Sequence, residues 1–177
     1  MLTSNTVRYP PAQKQTLNEL PPVCTRLGRC TYCPMIHKIE HFYSTHTRTK
    51  HNTINLPDKH RITCELYNLV YLISCTKCKK QYIGETSRQF RKRIYEHIAS
   101  VKNSNKIITP VSKHFSTHNH SHKHMKFSVI QWLGNRNDPE MTIKRRKAEN
   151  SFIWNIPTVA PIGINQFIWN VFSYCVE

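Results

Sequence analysis

Acidic residues are scarce in this sequence. Asp and Glu together number 10 in 177 residues, against 26 Lys and Arg, leaving a formal net charge of +16 and a pI near 9.8. A compact fold with that excess repels itself and is best tolerated beside a polyanion, so nucleic acid is the leading partner. Long apolar runs are missing as well. No stretch approaches the roughly 20 apolar residues of a membrane span, and no amphipathic anchor favours an anionic membrane surface. The opening residues, MLTSNTVRYPPAQKQ, lack the apolar core of a secretory signal. A membrane partner is therefore not expected, and an intracellular, reducing compartment is. Internal repeats are absent too, and hydrophobic content is a modest 38% with a mean hydropathy of −0.56. Those values allow one ordinary domain and a small appendage.

Cysteine, by contrast, is present and clustered. Six of the seven cysteines lie close together or near histidines: Cys24, Cys30, Cys33, Cys64, Cys75 and Cys78. In a basic chain without a secretion signal, C-x2-C pairs read better as thiolate metal ligands than as disulfides. One set is Cys24-x5-Cys30-x2-Cys33 with Cys64, for whose fourth position His37 and His41 compete. Zinc takes four N or S ligands, and a small polar segment gains most of its order from such a staple. The other set is Cys75-x2-Cys78, to be completed by two histidines from VSKHFSTHNHSHKH. Spacing alone leaves His114, His118, His120, His122 and His124 open. Cys175 stands alone and is assigned no role.

Along the chain, residues 1–22 carry two Pro-Pro pairs and read as a tail or linker. Residues 23–64 read as a Cys-rich segment expected to bind zinc, 65–170 as the main domain, and 171–177 as a tail. Leu69 to Cys75 and Gln81 to Gly84 are short β-forming runs joined by TKCKK, a predicted hairpin. Ser87 is a plausible N-cap for a helix to about Val101, with Phe90, Ile94, Ile98 and Val101 as its apolar stripe. A short helix over Pro110 to Thr117 and a strand over Lys126 to Leu133 follow. Asp138-Pro139-Glu140 then reads as a helix start, with Asp138 as N-cap, and Ile156-Pro157 as the stop near Asn155. The order β-β-α-α-β-α predicts a small α/β (α+β) domain.

Glu149 differs from the other acids. In RRKAENSFIWNI it shares a helix face with Phe152, Ile153 and Ile156, and an acid on an apolar face has a partner or a metal. Tyr71 in LVYLI, ten residues, Tyr82-Ile83-Gly84, then Arg93-x3-His97, and later Glu149 and the Asn165 of PIGIN, together resemble the GIY-YIG endonuclease family. The fuller phrasing NLVYLISCTKC…YIGETSRQFRKRIYEH…SKHF…HS…ENSFIWNI…PIGIN is similar to the endonuclease domain of Penelope-like retroelements. The first motif departs from the family in reading Leu69-Val70-Tyr71, without its glycine.

The resemblance implies a three-stranded, mainly antiparallel sheet flanked by helices, behind an N-terminal zinc-stapled segment. It implies a Mg²⁺- or Mn²⁺-dependent DNA endonuclease in which Glu149 binds the metal and Arg93 contacts the scissile phosphate. Tyr71 would be the general base, sharing protons with Tyr82 and His97 once nearby cations lower its pKa. Gly84 would let the backbone turn close to the phosphate path, and Asn165 would orient the site. Cys75, Cys78, His114 and His120 fall where that branch carries a CCHH pattern, and Cys24, Cys30, Cys33 and Cys64 where it carries upstream cysteines. One or two structural zincs, a nuclear location and a reverse transcriptase domain or its RNA template as partners follow from the same resemblance. The chain itself has no YxDD polymerase motif. The competing class is a zinc-stabilised nucleic-acid-binding module without catalysis, which the charge and cysteines would serve equally well.

Overall fold

The computed structural model describes residues 23–26, 29–135 and 139–166. The two tails, Cys175, the Asp138 N-cap and the stretch from 167 to the expected domain end at 170 lie outside the described residues. Among the described residues two strands precede the main domain, β1 (His41–Tyr43) and β2 (Lys50–Asn52), which pair antiparallel. The domain then runs β3 (Leu69–Cys75), β4 (Gln81–Thr86), α1 (Phe90–Lys102), α2 (Pro110–Thr117), β5 (Met125–Trp132) and α3 (Pro139–Asn155). This is the expected order, in an antiparallel sheet of order β4-β3-β5.

Strand β3 is central and six of its seven residues are buried, because both sheet faces are covered. Leu69, Tyr71, Ile73 and Cys75 point into a core with Phe90 and Ile94 of α1 and Val111 and Phe115 of α2. Val70 and Leu72 point the other way, against Phe152 and Ile153 of α3 and Ile156 just after it. The register between β3 and β5 shifts between Val70 and Tyr71. There Ile130 is the extra residue of a bulge, so Val129 and Trp132 both reach the first core.

Helix α1 does not start on Ser87. Its N-cap position is Gln89, which makes no side-chain cap bond. The first helical N–H groups are instead satisfied by backbone: Phe90 N–H donates to Leu66 O at 2.7 Å and Arg91 N–H to Cys64 O at 2.8 Å. Any acceptor meets the needs of a helix start, and here tertiary contact supplies one without a capping side chain.

The Cys-rich segment lies along the sheet's second edge. His37 N–H donates to Phe127 O at 2.7 Å and Ile54 N–H to Ile130 O at 2.9 Å, both on β5. Phe42 joins the α3-side core, while Cys24, Ile36, Ile62 and Cys64 join the α1-side core. The β1–β2 hairpin was not legible in the sequence: three-residue strands carry too little periodicity to read. No helix among the described residues is long and apolar enough to cross a membrane.

Candidate active site and metal centres

Tyr71 and Tyr82 share one face of the β3–β4 pair because Tyr71 pairs with Gly84 and Ile73 with Tyr82. Side chains on alternate strand positions point the same way. Arg93 and His97, four residues apart on α1, project toward them. Arg93 Nε donates to Tyr71 Oη at 2.8 Å, and Tyr71 Oη lies 2.8 Å from His97 Nε2. With the phenol oxygen accepting from Arg93, its proton is directed at His97. The Tyr82 ring sits edge-on to His97, with centroids 5.6 Å apart.

Burial raises the Tyr71 pKa well above its ordinary value, and Tyr82 adds to the rise. Arg93 opposes both and is outweighed. The sequence expectation that nearby cations lower this pKa is thus corrected: a fully buried phenol loses more by desolvation than one guanidinium returns. Burial, followed by Arg93, also keeps His97 well below its usual pKa and therefore neutral. Burial works against the charge of Arg93, but Tyr71, Tyr82 and Glu96 more than offset it, so the guanidinium stays charged.

Gly84 has a different task from the one expected. It lies in mid-strand, and a Cβ there would come within 2.6 Å of Tyr71 Cζ and 2.9 Å of Tyr82 Cε1. Its missing side chain is the space that lets the Tyr71 ring lie across β4. Gly84→Ala should displace that ring and cost about 1–3 kcal/mol of stability, as overpacking does. Thermal denaturation checks this.

Glu149 reaches the site from the far side of the sheet, around its edge. Strand β4 is that edge, and several of its outward backbone groups are claimed. Ile164 N–H donates to Gln81 O at 2.9 Å. The Asn165 side chain accepts from Ile83 N–H at 2.9 Å and donates to Ile83 O at 2.8 Å. The Glu85 N–H points at the Glu149 carboxylate. Asn165 thus mimics a fourth strand, and its side chain is spent on β4 rather than turned into the tyrosine cluster. Glu40, Glu65, Glu85, Glu96 and Glu140 are each held in an ion pair. Glu149, only 8% exposed, is held by backbone instead. Burial, then Glu85, pushes its pKa up to about 7 against the pull of Arg93 and Arg146. A buried oxygen ligand so undercompensated fits a hard divalent cation.

Several residues were missed at the sequence level. Glu96 accepts from Arg93 Nη1 at 3.2 Å and pairs with Arg88 at 2.7 Å, orienting the guanidinium that faces Tyr71. Arg145, 4% exposed, donates to Glu85 at 2.7 Å and to Asn68 Oδ1 at 3.0 Å. This network ties α3 to β4 and to the start of β3, one turn before Glu149. Helical spacing was the available signal: Glu96 follows Arg93 by three residues and Arg145 precedes Glu149 by four.

Both sets of metal-ligand candidates assemble. The donor atoms of Cys24, Cys30, Cys33 and Cys64 lie within 4.8 Å of one another, as do those of Cys75, Cys78, His114 and His120. A tetrahedral zinc with bonds of about 2.3 Å sets sulfurs about 3.8 Å apart. Cys64 Sγ is 3.4 Å from Cys30 Sγ and 3.7 Å from Cys24 Sγ. Cys75 Sγ is 3.3 Å from His120 Nδ1, and Cys78 Sγ is 3.3 Å from His114 Nε2. Burial, then His118 and His120, lowers the His114 pKa to about 4, which suits a ligand that binds neutral. His37 and His41 stand outside the first group. His118 Nδ1 is directed at its own helix's His114 O at 2.9 Å, and His124 Nδ1 accepts from Ser121 N–H at 3.1 Å. Both groups could hold zinc.

A small antiparallel α/β domain that joins a hydrogen-bonded Tyr–His–Arg cluster to a buried glutamate carries the groups of a phosphodiester-cleaving enzyme. Comparison with known families agrees: residues 67–153 match the GIY-YIG catalytic domain. The match supports placing the chain in the GIY-YIG endonuclease family, and with it a nuclease function with DNA as substrate. No curated protein and no solved structure matches the chain.

Proposed function

We propose that the protein is a Mg²⁺-dependent DNA endonuclease that nicks its target. The observation that carries this reading is the Tyr71 hydroxyl, 2.8 Å from both Arg93 Nε and His97 Nε2. Hydrolysis requires water to be activated and the charge on the phosphoryl group to be neutralised. Arg93, with its fork only partly used by Tyr71 and Glu96, binds the scissile phosphate. Tyr71 takes the proton of the attacking water as its own phenolic proton passes to His97 Nε2. The buried phenol is then never left as an uncompensated anion. Asn165 and the Arg145 network position the residues around the β4 edge. A Mg²⁺ or Mn²⁺ held by Glu149 would supply charge stabilisation to the phosphoryl and leaving oxygens.

The CxxC between the two tyrosine motifs, gathered with His114 and His120, supports a closer kinship with Penelope-like retroelement endonucleases. In that setting the nick supplies a 3′-OH to a reverse transcriptase domain and its RNA template. Clustered thiols suit a nuclear, reducing location.

Purified protein is expected to nick supercoiled plasmid with Mg²⁺ or Mn²⁺. Glu149→Gln should abolish nicking while DNA binding persists. Equal nicking by the variant would sink the mechanism, and binding without nicking by the wild type would leave a non-catalytic binding module.

A further inference from the structure

The loop between α1 and α2, residues 103–109, presents two consecutive isoleucines to solvent. Ile107 is 46% exposed and Ile108 77% exposed. Apolar side chains at that level are unremarkable singly, but here they lie side by side, and Ile107 lines a cleft. The cleft, about 580 Å³, has Arg93, His97 and Tyr82 at one end and Tyr95, Ile107 and Thr109 among its other walls. Tyr95 is itself 60% exposed on α1. The apolar tip is therefore continuous with the candidate active site.

The loop is braced. Ile107 N–H donates to Asn103 O at 3.0 Å, and Ser112 Oγ donates to Ile107 O at 2.9 Å. Thr109 and Ser112 form a capping box at the start of α2. An apolar tip held this way keeps its shape when pressed against a partner. Lys102, Lys106 and Lys113 are exposed nearby in a chain of net charge +16. Such surroundings oppose a second copy of the chain and favour a polyanion that also offers flat apolar faces. Nucleic acid has both.

We propose that Ile107 and Ile108 act as a wedge against the base stack beside the scissile phosphate, with Tyr95 as a stacking wall. The proposal rests on the nuclease reading of the cleft. Lysines track the flanking phosphates while the isoleucines enter between bases, as apolar wedges of minor-groove and architectural proteins do. Opening the stack would bring the phosphate path toward Arg93, which reaches only part-way out of the protein.

The test uses Glu149→Gln protein, so that DNA stays intact, and duplexes carrying 2-aminopurine at successive positions. Binding should raise the fluorescence at one step. Adding Ile107→Ser and Ile108→Ser should remove that rise and weaken binding about tenfold, the scale of one lost stacking contact. The slope of affinity against salt should not change, since no phosphate contact is removed. Replacing both by leucine should restore the rise. No rise at any position, or unchanged affinity in the serine pair, overturns the wedge. So does sedimentation showing a wild-type dimer that the serine pair dissociates. Plasmid nicking by the wild type without a fluorescence rise defeats the wedge alone. A rise without nicking defeats the nuclease reading and leaves the base contact standing.

Discussion

Metal analysis of the purified chain should find zinc in both ligand groups, two ions per molecule, and Cys64→Ser or Cys75→Ser should unfold the domain. Apparent zinc-binding energies in small structural sites are about 10–16 kcal/mol, against a total stability of about 5–15 kcal/mol for an ordinary domain. Losing either ion thus removes a quantity as large as the whole margin. The two sites would fail differently. The Cys64 backbone carbonyl accepts the Arg91 N–H at the N-terminus of α1, the helix that carries Arg93 and His97. Disordering the first site frees that end of α1. The second site ties the β3–β4 turn, through Cys75 and Cys78, to His114 of α2 and His120 beyond it. Without it the hairpin bearing both tyrosines loses its clasp. Circular dichroism before and after chelation reads the result, and a chelated protein with unchanged melting would show that packing alone holds these segments.

Tyr71→Phe should lower nicking by roughly 10²- to 10⁴-fold, the usual contribution of a positioned acid–base group, with little change in fold. The ring keeps its packing against Phe90, at 5.3 Å between centroids, and Gly84 still leaves room for it. What is lost is the oxygen that accepts from Arg93 and faces His97, about 1 kcal/mol of stability for a hydrogen-bonded hydroxyl. Single-turnover nicking set beside thermal melting separates the two effects. Nicking within a few-fold of wild type would show that the tyrosine only packs, and that His97 acts on water without it.

Much of this fold was legible because its elements have local causes. The β3 run, the Pro139 helix start and the Ile156-Pro157 stop stand where the sequence placed them. Ser87 failed as a cap because Leu66 and Cys64, more than twenty residues upstream, supply the acceptors. The β1–β2 hairpin was not legible because its two three-residue strands pair with each other and are too short to show a pattern of their own. Gly84 looked like a turn residue and proved to be a gap, since only the packed ring of Tyr71 reveals what the missing Cβ makes room for.

By itself the sequence determined the residue chemistry: two tyrosines on alternating strand positions, an arginine and histidine one helical turn apart, and a lone acid on an apolar face. It also determined that thiols and imidazoles would be available in two groups of four. Tertiary structure alone decided which groups meet. It gathered His114 and His120, which the resemblance had implied, with Cys75 and Cys78, turned Asn165 onto the β4 edge, and brought Glu149 around that edge from the opposite face of the sheet. It also raised the Tyr71 pKa, because a pKa follows from burial and neighbours, and neither exists until the chain has folded.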